Sequence, residues 1–189
     1  MKKLIFVLGM LLAGCHSTPK KPTEQPLPVA TGITLEEQTP FIMGKINRTN
    51  LLTYEHSQWF QKEYDAFSID ANWISEMQPL AKALNYQLFL GTWCEDSQRE
   101  VPGMLKILDA LGMEKTDMVI YATDEDKKTP EQYEAGLNIT NIPTLIFYKG
   151  EKEMNRIVEL PVESLYKDFA KILKNEPYQH AYFIAAETP

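Results

Sequence analysis

A short stretch in the middle of the chain, residues 91–97, carries the side chains best suited to chemistry, with Cys94 at its centre. It follows an apolar run at 86–90 that predicts a buried strand, and apolar residues at helical spacing come after it. Cys94 is therefore expected where a strand ends and a helix begins. The free N–H groups and the dipole of a helix start stabilise a thiolate, so this position favours a reactive thiol. The alternative is a buried cysteine that serves only as a small apolar side chain.

The polar residues that follow Cys94 have opposite effects on the stability of its thiolate. The carboxylates of Glu95 and Asp96 disfavour a thiolate, although acidic residues in a first helical turn also stabilise the helix itself. Ser97 could donate a hydrogen bond to the thiolate, or it could bond only to backbone N–H groups. The sequence leaves these alternatives open.

The second cysteine, Cys15, has a different setting. Residues 1–14 combine two lysines, an apolar run at 4–12 and small residues before Cys15, which predicts a signal peptide. The apolar run is too short for a permanent membrane span. The segment 12–15 resembles the bacterial lipobox, which implies cleavage before Cys15 and lipidation of that residue. The alternative is an ordinary secreted protein.

The lipobox resemblance has consequences for location and for redox chemistry. It implies a lipid-anchored protein of the bacterial cell envelope, and His16 after the cysteine favours the periplasmic face of the outer membrane. If Cys15 carries lipid, Cys94 is the only free thiol, because the chain has 2 cysteines. A single free thiol in an oxidising compartment requires an explanation.

Composition and charge exclude several classes of protein. A length of 189 residues with 44% hydrophobic content suits one domain with appendages. The net charge is −7, and no basic patch points to nucleic acid as a partner. The histidines His16, His56 and His180 lack metal-ligand spacing, and no phosphate-binding glycine motif is present. Neither a metal nor another cofactor is expected.

The hydrophobic pattern predicts an α/β domain with a mixed sheet after a helical N-terminal extension. We divide the chain into a signal peptide (1–14), a lipidated cysteine with a disordered Pro-rich tether (15–40), a helical N-terminal extension (41–84), a core domain (85–175) and a C-terminal tail (176–189). Helices are predicted at 51–67, 72–84, 95–111, 130–135 and 162–174. Strands are predicted at 86–91, 118–122, 144–148 and 154–160, the last two as a hairpin.

The segment 93–97, Trp-Cys-Glu-Asp-Ser, resembles the Trp-Cys-x-x-Cys site of thioredoxins, with Ser97 in place of the second cysteine. Pro102 falls where thioredoxins kink the active-site helix, and the segment 142–144, Ile-Pro-Thr, resembles their cis-proline motif. The order of predicted elements also agrees. The resemblance implies a thioredoxin-like fold for 85–175, closest to bacterial lipoproteins with a Trp-Cys-x-Asp-Ser site.

The resemblance also implies roles for individual residues. Cys94 would be the nucleophile, and Ser97, Trp93 and Pro143 would complete the catalytic site. The cis-proline loop, through Ile142 and Thr144, would hold an extended substrate segment.

This chain departs from the thioredoxin pattern at three positions. Ser97 cannot resolve a mixed disulfide, so an outside thiol must release it. Leu88 stands at the position of the usual buried acid, and Ile120 lies near that of its lysine companion.

Two functional hypotheses follow from the resemblance and from these departures. The first is monothiol thiol–disulfide exchange through Cys94, as an isomerase or on mixed disulfides, with protein or peptide disulfides as substrates and an external thiol or reductase as partner. The second is a non-catalytic binding module that uses the cis-proline groove, because one fold can serve unrelated functions.

Overall fold

The computed structural model describes residues 41–53, 58–113 and 117–183, in which a mixed β-sheet packs against a layer of helices. The predicted signal peptide, the lipidation of Cys15 and the tether lie outside the described residues. Within the described ranges, no helix is both long and apolar enough to cross a bilayer.

Strands and helices alternate after a mostly helical N-terminal part. The strands are β1 (Gly44–Ile46), β2 (Asn85–Leu90), β3 (Met118–Ala122), β4 (Thr144–Lys149) and β5 (Lys152–Val158). The helices are α1 (Arg48–Thr53), α2 (Gln58–Ala66), α3 (Ala71–Ala81), α4 (Glu95–Ala110) and α5 (Leu165–Leu173).

The five strands form one sheet in the order β1-β3-β2-β4-β5. Strands β2 and β3 are parallel, and every other neighbouring pair is antiparallel. Strands β4 and β5 form the predicted hairpin, with Gly150 in its turn at a φ of 62°. The mixed sheet flanked by helices confirms the predicted thioredoxin-like fold class.

Strand β1 is an edge strand that the sequence did not reveal. It lies inside the N-terminal extension predicted as helical, and it pairs antiparallel with β3, Gly44 opposite Ala122. With 3 residues, it is too short to display an alternating pattern. Its partner lies far along the chain, so only the tertiary fold creates the pairing.

Alternating side chains give the sheet two different faces. One face packs against the helices, and its cluster includes members from all of α1 to α5: Leu51, Phe60, Met77, Leu105 and Phe169. The strands contribute Leu88, Leu90, Ile120, Leu145 and Phe147 to this cluster. The opposite face carries a smaller cluster of Phe89, Tyr121, Ile142 and Ile146, against which Cys94 packs.

The ends of α3 and α4 follow local signals that the sequence carries. Asp70 caps α3 by accepting hydrogen bonds from the backbone N–H groups of Asn72 and Trp73, at 2.9 and 3.1 Å. Gly112 follows α4 with a φ of 77°, as expected for the residue after a helix end. Helix α4 continues through the buried Pro102 as one uninterrupted helix.

Two sequence-based predictions of helices need correction. The helix predicted at 130–135 is a series of turns, because Gln132 has a φ of 58°, which a right-handed helix cannot accommodate. The helix predicted at 162–174 begins later than expected, because Ser164 caps α5, and Val162 lies before it and is 51% exposed. The helix predicted at 51–67 is helical wherever it is described up to Ala66, in α1 and α2, and its residues 54–57 lie outside the described residues.

Candidate functional site

Cys94 lies where β2 gives way to α4, as the sequence predicts. It is the N-cap residue of α4, with φ −86° and ψ 122°, and its side chain is half-buried. Its carbonyl accepts the first helical hydrogen bond from the N–H of Gln98 at 2.9 Å. The thiol makes no capping bond to the helix, so its sulfur is free to face another part of the fold.

The sulfur faces the loop before β4. The Ile142–Pro143 peptide bond is cis, which confirms the expected isomer. The Cys94 Sγ lies 3.6 Å from the carbonyl oxygen of Ile142. Thr144 is buried, and its hydroxyl donates to the carbonyl of Asn141 at 2.6 Å, which braces the loop from within. The fold therefore brings together the two motifs that the sequence places far apart.

Trp93 fills the space between these two motifs. A Cβ added to Gly91 would lie 2.7 Å from the Trp93 ring and 2.8 Å from Cδ1 of Ile142, so only glycine fits there. The indole N–H of Trp93 donates to the carbonyl of Thr123 at 2.9 Å. This contact fixes the ring against the end of β3, directly beside Cys94.

The hydroxyl of Ser97 makes a hydrogen bond to the backbone rather than to the Cys94 sulfur. Its side chain is fully buried, and its Oγ accepts a hydrogen bond from the N–H of Gly91 at 3.1 Å. Of the two roles that the sequence left open, the structure supports bonding to a backbone N–H group. Ser97 thereby holds the end of β2 against the first turn of α4.

The N-terminal extension reaches the same loop. The N–H of Ile42 donates to the hydroxyl of Thr92 at 3.2 Å, and the ring of Phe41 lies 6.3 Å from that of Trp93. Gln98 holds the loop from the other side by donating to the carbonyl of Thr92 at 2.8 Å. The residues before the cysteine are therefore fixed by contacts from both directions along the chain.

The acidic residues after Cys94 are partly offset by a nearby cation. Arg99 pairs with Glu100 at 2.8 Å and with Asp96 at 2.6 Å. Hydrogen bonds to Glu100 and then to Asp96 raise the pKa of the Arg99 guanidinium above its usual value. The charge of Asp96 therefore acts on Cys94 less than the sequence alone suggests, while Glu95 remains exposed.

The positions of the expected acid–lysine pair are occupied by core residues. Leu88 on β2 and Ile120 on β3 are register partners in the parallel pair, and both are buried. Their apolar side chains belong to the cluster under the helices. Neither of these two positions therefore offers a group that could relay a proton to Cys94.

Glu159 is a site residue that the sequence analysis missed. It follows β5 with a φ of 64°, a conformation that non-glycine residues rarely adopt. Its N–H donates to the carbonyl of Pro143 at 2.6 Å, and its carboxylate accepts from the Asn141 side chain at 2.9 Å. No local sequence signal marks this residue, because both contacts are to a loop that is distant in the chain.

The described residues contain no group of three or more His, Cys, Asp or Glu side chains arranged to hold a metal ion.

Comparison with known proteins identifies the family. A family model described as Thioredoxin matches residues 48–167, which is more than half of the chain, so the chain belongs to the thioredoxin family. Thioredoxin-2 from Saccharomyces cerevisiae is 31% identical over 70 residues, which cover 37% of this chain and 62% of that protein. The chain thus spans less than two thirds of the length of this relative.

Two solved structures resemble this chain more loosely. A protein of unknown function from Pseudomonas aeruginosa matches with a TM-score of 0.46 and 12% identity, over 70% of this chain and 87% of that one. Oxidised thioredoxin O2 from Arabidopsis thaliana matches with a TM-score of 0.31 and 22% identity, over 47% of this chain and 76% of that one.

Proposed function

We propose that this protein carries out monothiol thiol–disulfide exchange through Cys94. The observation that carries the proposal is the position of the Cys94 sulfur, at the start of α4 and 3.6 Å from the cis-proline loop. A helix start favours the thiolate that such chemistry needs. Ser97 provides no second thiol, so the chemistry is limited to steps that a single sulfur can complete.

The proposed reduction of a mixed disulfide consumes one molecule of a small thiol, R–SH. The Cys94 thiolate attacks the sulfur of the small thiol in a client–S–S–R disulfide, and the client leaves as a thiolate that takes a proton from solvent. A second R–SH, as its thiolate, then attacks Cys94–S–S–R, which releases R–S–S–R and regenerates Cys94. The net result reduces the client and oxidises the small thiol.

Isomerisation uses the same nucleophile without net redox change. The Cys94 thiolate attacks a protein disulfide and forms a mixed disulfide, freeing a client thiolate. That thiolate attacks another disulfide of the client, and a further client thiolate finally displaces Cys94. Substrates of either kind are protein or peptide disulfides, and we propose that the backbone at Ile142 pairs with their extended segment.

The test compares disulfide exchange with simple thiol reactivity. The full-length chain carrying Cys15→Ser, solubilised in detergent, has Cys94 as its only cysteine. We expect it to react with iodoacetamide at pH 7 faster than an unstructured cysteine peptide, and to form a mixed disulfide with a peptide disulfide, detected by mass spectrometry.

A matched control removes the nucleophile from the same chain. A further Cys94→Ser change should abolish both reactions. Slow alkylation together with no mixed disulfide would contradict the proposal.

One observation favours a non-catalytic binding module as a second candidate. The partner of the Cys94 sulfur is a carbonyl oxygen, and a carbonyl accepts from an S–H group but repels a thiolate. In that case the cis-proline loop would bind an extended peptide, and Cys94→Ser would leave the affinity unchanged. Equal peptide binding by both chains, with no exchange, would favour this function.

We propose further that the protein is a lipoprotein of the bacterial cell envelope, anchored through Cys15 with the domain on the periplasmic side. The support is the lipobox-like segment 12–15. Mass spectrometry of the protein extracted from membranes should show cleavage before Cys15 and an added lipid mass. A Cys15→Ser chain that stays in the membrane fraction to the same extent would contradict the anchor.

A further inference from the structure

A cavity of about 530 Å³ lies beside the cis-proline loop. Asn141 and Thr144, which flank the Ile142–Pro143 bond, form part of its lining. Its volume falls within the range of sites that bind small molecules or short peptide segments. A client chain whose sulfur is joined to Cys94 must pass this loop, because the sulfur lies 3.6 Å from the Ile142 carbonyl.

The C-terminal segment builds one wall of the cavity. Tyr178 fixes this segment, since its hydroxyl donates to buried Asp168 at 3.0 Å and its carbonyl accepts from Asn155 at 3.0 Å. The segment then turns back on itself, and Phe183 donates its N–H to the carbonyl of His180 at 2.9 Å. Hydrogen bonds therefore hold this C-terminal turn in place.

The wall presents aromatic rings that remain half-exposed. Tyr182 is 41% exposed and Phe183 is 49% exposed, and both line the cavity. The pKa of Tyr182 is raised, first by the hydrogen bond to the Glu159 carboxylate and then by partial burial and the charges of Glu159 and Asp96. The hydroxyl of Tyr182 therefore stays neutral. Neutral aromatic rings with free area suit apolar and aromatic side chains of a partner.

The opposite wall offers hydrogen bonds without a free charge. Arg156 is bound by Glu153 through contacts of 2.6 Å and donates to the carbonyl of Leu137 at 2.8 Å. The remaining polar groups on this side include the amide of Asn138 and the hydroxyl of Thr140, which pair well with peptide amides. The cavity therefore matches an uncharged polypeptide segment better than an ionic ligand.

We infer that this cavity is a specificity subsite for client polypeptides, which takes an aromatic or large apolar side chain two residues from the client's reactive cysteine. The inference rests on the proposed function and adds to it a preference among clients. The cis-proline loop holds the client backbone, and the C-terminal segment selects the neighbouring side chain. In an extended chain, residues that are two apart point to the same side, so the selected residue is two positions from the cysteine.

The experiment measures exchange with three disulfide probes. One is a peptide disulfide with phenylalanine two residues to either side of the cysteine, the second has aspartate at those positions, and the third is bis(2-hydroxyethyl) disulfide. The full-length chain carrying Cys15→Ser is compared with the same chain carrying Phe183→Ala. Leu80→Ala serves as a matched control, because Leu80 is a 39% exposed residue of α3 that does not line the cavity.

We expect Phe183→Ala to raise KM for the phenylalanine peptide about five- to tenfold, with little change in kcat. The small disulfide should react equally with all chains, and Leu80→Ala should behave as the parent. The inference is overturned if the parent chain does not prefer the phenylalanine peptide, or if Phe183→Ala slows the small disulfide to the same extent.

A binding measurement separates this inference from the proposed function. If the parent chain exchanges none of the three disulfides, the proposed chemistry fails. The cavity is then tested with peptides that carry serine instead of cysteine, by following the NMR signals of the Asn141 and Phe183 amides. Binding of the phenylalanine peptide that Phe183→Ala weakens supports the subsite, whereas no binding overturns it.

Discussion

At the scale of single residues, the site is defined by one sulfur and one buried hydroxyl. Cys94 faces the cis-proline loop, while Ser97 is committed to the N–H of Gly91. Ser97 therefore occupies the position of a resolving thiol but performs a structural task. At this fully buried position the side chain differs from that of a resolving cysteine by one atom, an oxygen in place of a sulfur.

Replacing the Ser97 oxygen with sulfur should change the lifetime of a mixed disulfide at Cys94. We expect Ser97→Cys to shorten the life of a Cys94–peptide disulfide by about tenfold or more, because the new thiol attacks it within the same molecule. Quenched-time mass spectrometry measures this lifetime. Ser97→Ala is the control, and it should leave the lifetime unchanged while costing about 1–3 kcal/mol in the free energy of unfolding. Equal lifetimes for all three chains would refute the expectation.

At the scale of elements, the connection from β3 to β4 positions the cis-proline loop. A buried carboxylate, that of Glu134, anchors it by accepting from the N–H and the hydroxyl of Thr129 at 3.0 and 2.7 Å. Burial alone would raise the pKa of Glu134, but the hydrogen bonds from Thr129 and the nearby charge of Lys128 outweigh it and lower the pKa. The ionised form is therefore the one that stabilises this connection.

The lowered pKa predicts how stability depends on pH. Glu134 contributes fully above its unfolded-state pKa of about 4.3, and the contribution is lost as pH falls through the lower pKa of the folded state. Glu134→Gln should cost about 1–3 kcal/mol in the free energy of unfolding at pH 7, and this difference should shrink towards pH 3. Urea unfolding at a series of pH values measures it. The exposed Glu125→Gln is the control, and a cost that is independent of pH would argue against the ionised anchor.

At the scale of the whole molecule, the C-terminal segment connects α5 to the outer strands and to the rim of the site. Asp168 is buried on α5 and accepts from the N–H of Val162 at 2.6 Å and from the hydroxyl of Tyr178 at 3.0 Å. Burial, followed by the charge of Asp168, raises the pKa of Tyr178, so this phenol remains a donor at all physiological pH values. One carboxylate thus fixes both the connection before α5 and the segment after it.

Removing the phenol should loosen this connection. We expect Tyr178→Phe to lower the free energy of unfolding by about 1–3 kcal/mol, because the buried carboxylate loses a donor. Urea unfolding gives the free energy, and hydrogen exchange should show faster exchange at the amides of 176–183. Tyr182→Phe, which alters a half-exposed phenol, should change stability by less than about 0.5 kcal/mol. Equal effects of the two changes would show that Asp168 does not depend on Tyr178.

Features that depend on neighbours along the chain could be predicted from the amino-acid sequence. The apolar run of β2 and the helical spacing of α4 set Cys94 at a strand-to-helix junction, and the structure agrees. Asp70 and Gly112 mark helix ends through local hydrogen bonds and a positive φ, which are properties of a few adjacent residues. The resemblance to thioredoxins further predicted the cis-proline loop and the topology of the domain.

Contacts between segments that are distant in the chain became visible only in the folded structure. The pairing of β1 with β3 and the role of Glu159 have no periodic signal, because each depends on one long-range contact or one unusual φ. The predicted helix at 130–135 failed for a local reason, because Gln132 has a φ of 58° and side-chain bonds between Thr129 and Glu134 fix turns there. Local pattern placed Cys94 at the start of α4, and packing between distant segments brought the cis-proline loop against it.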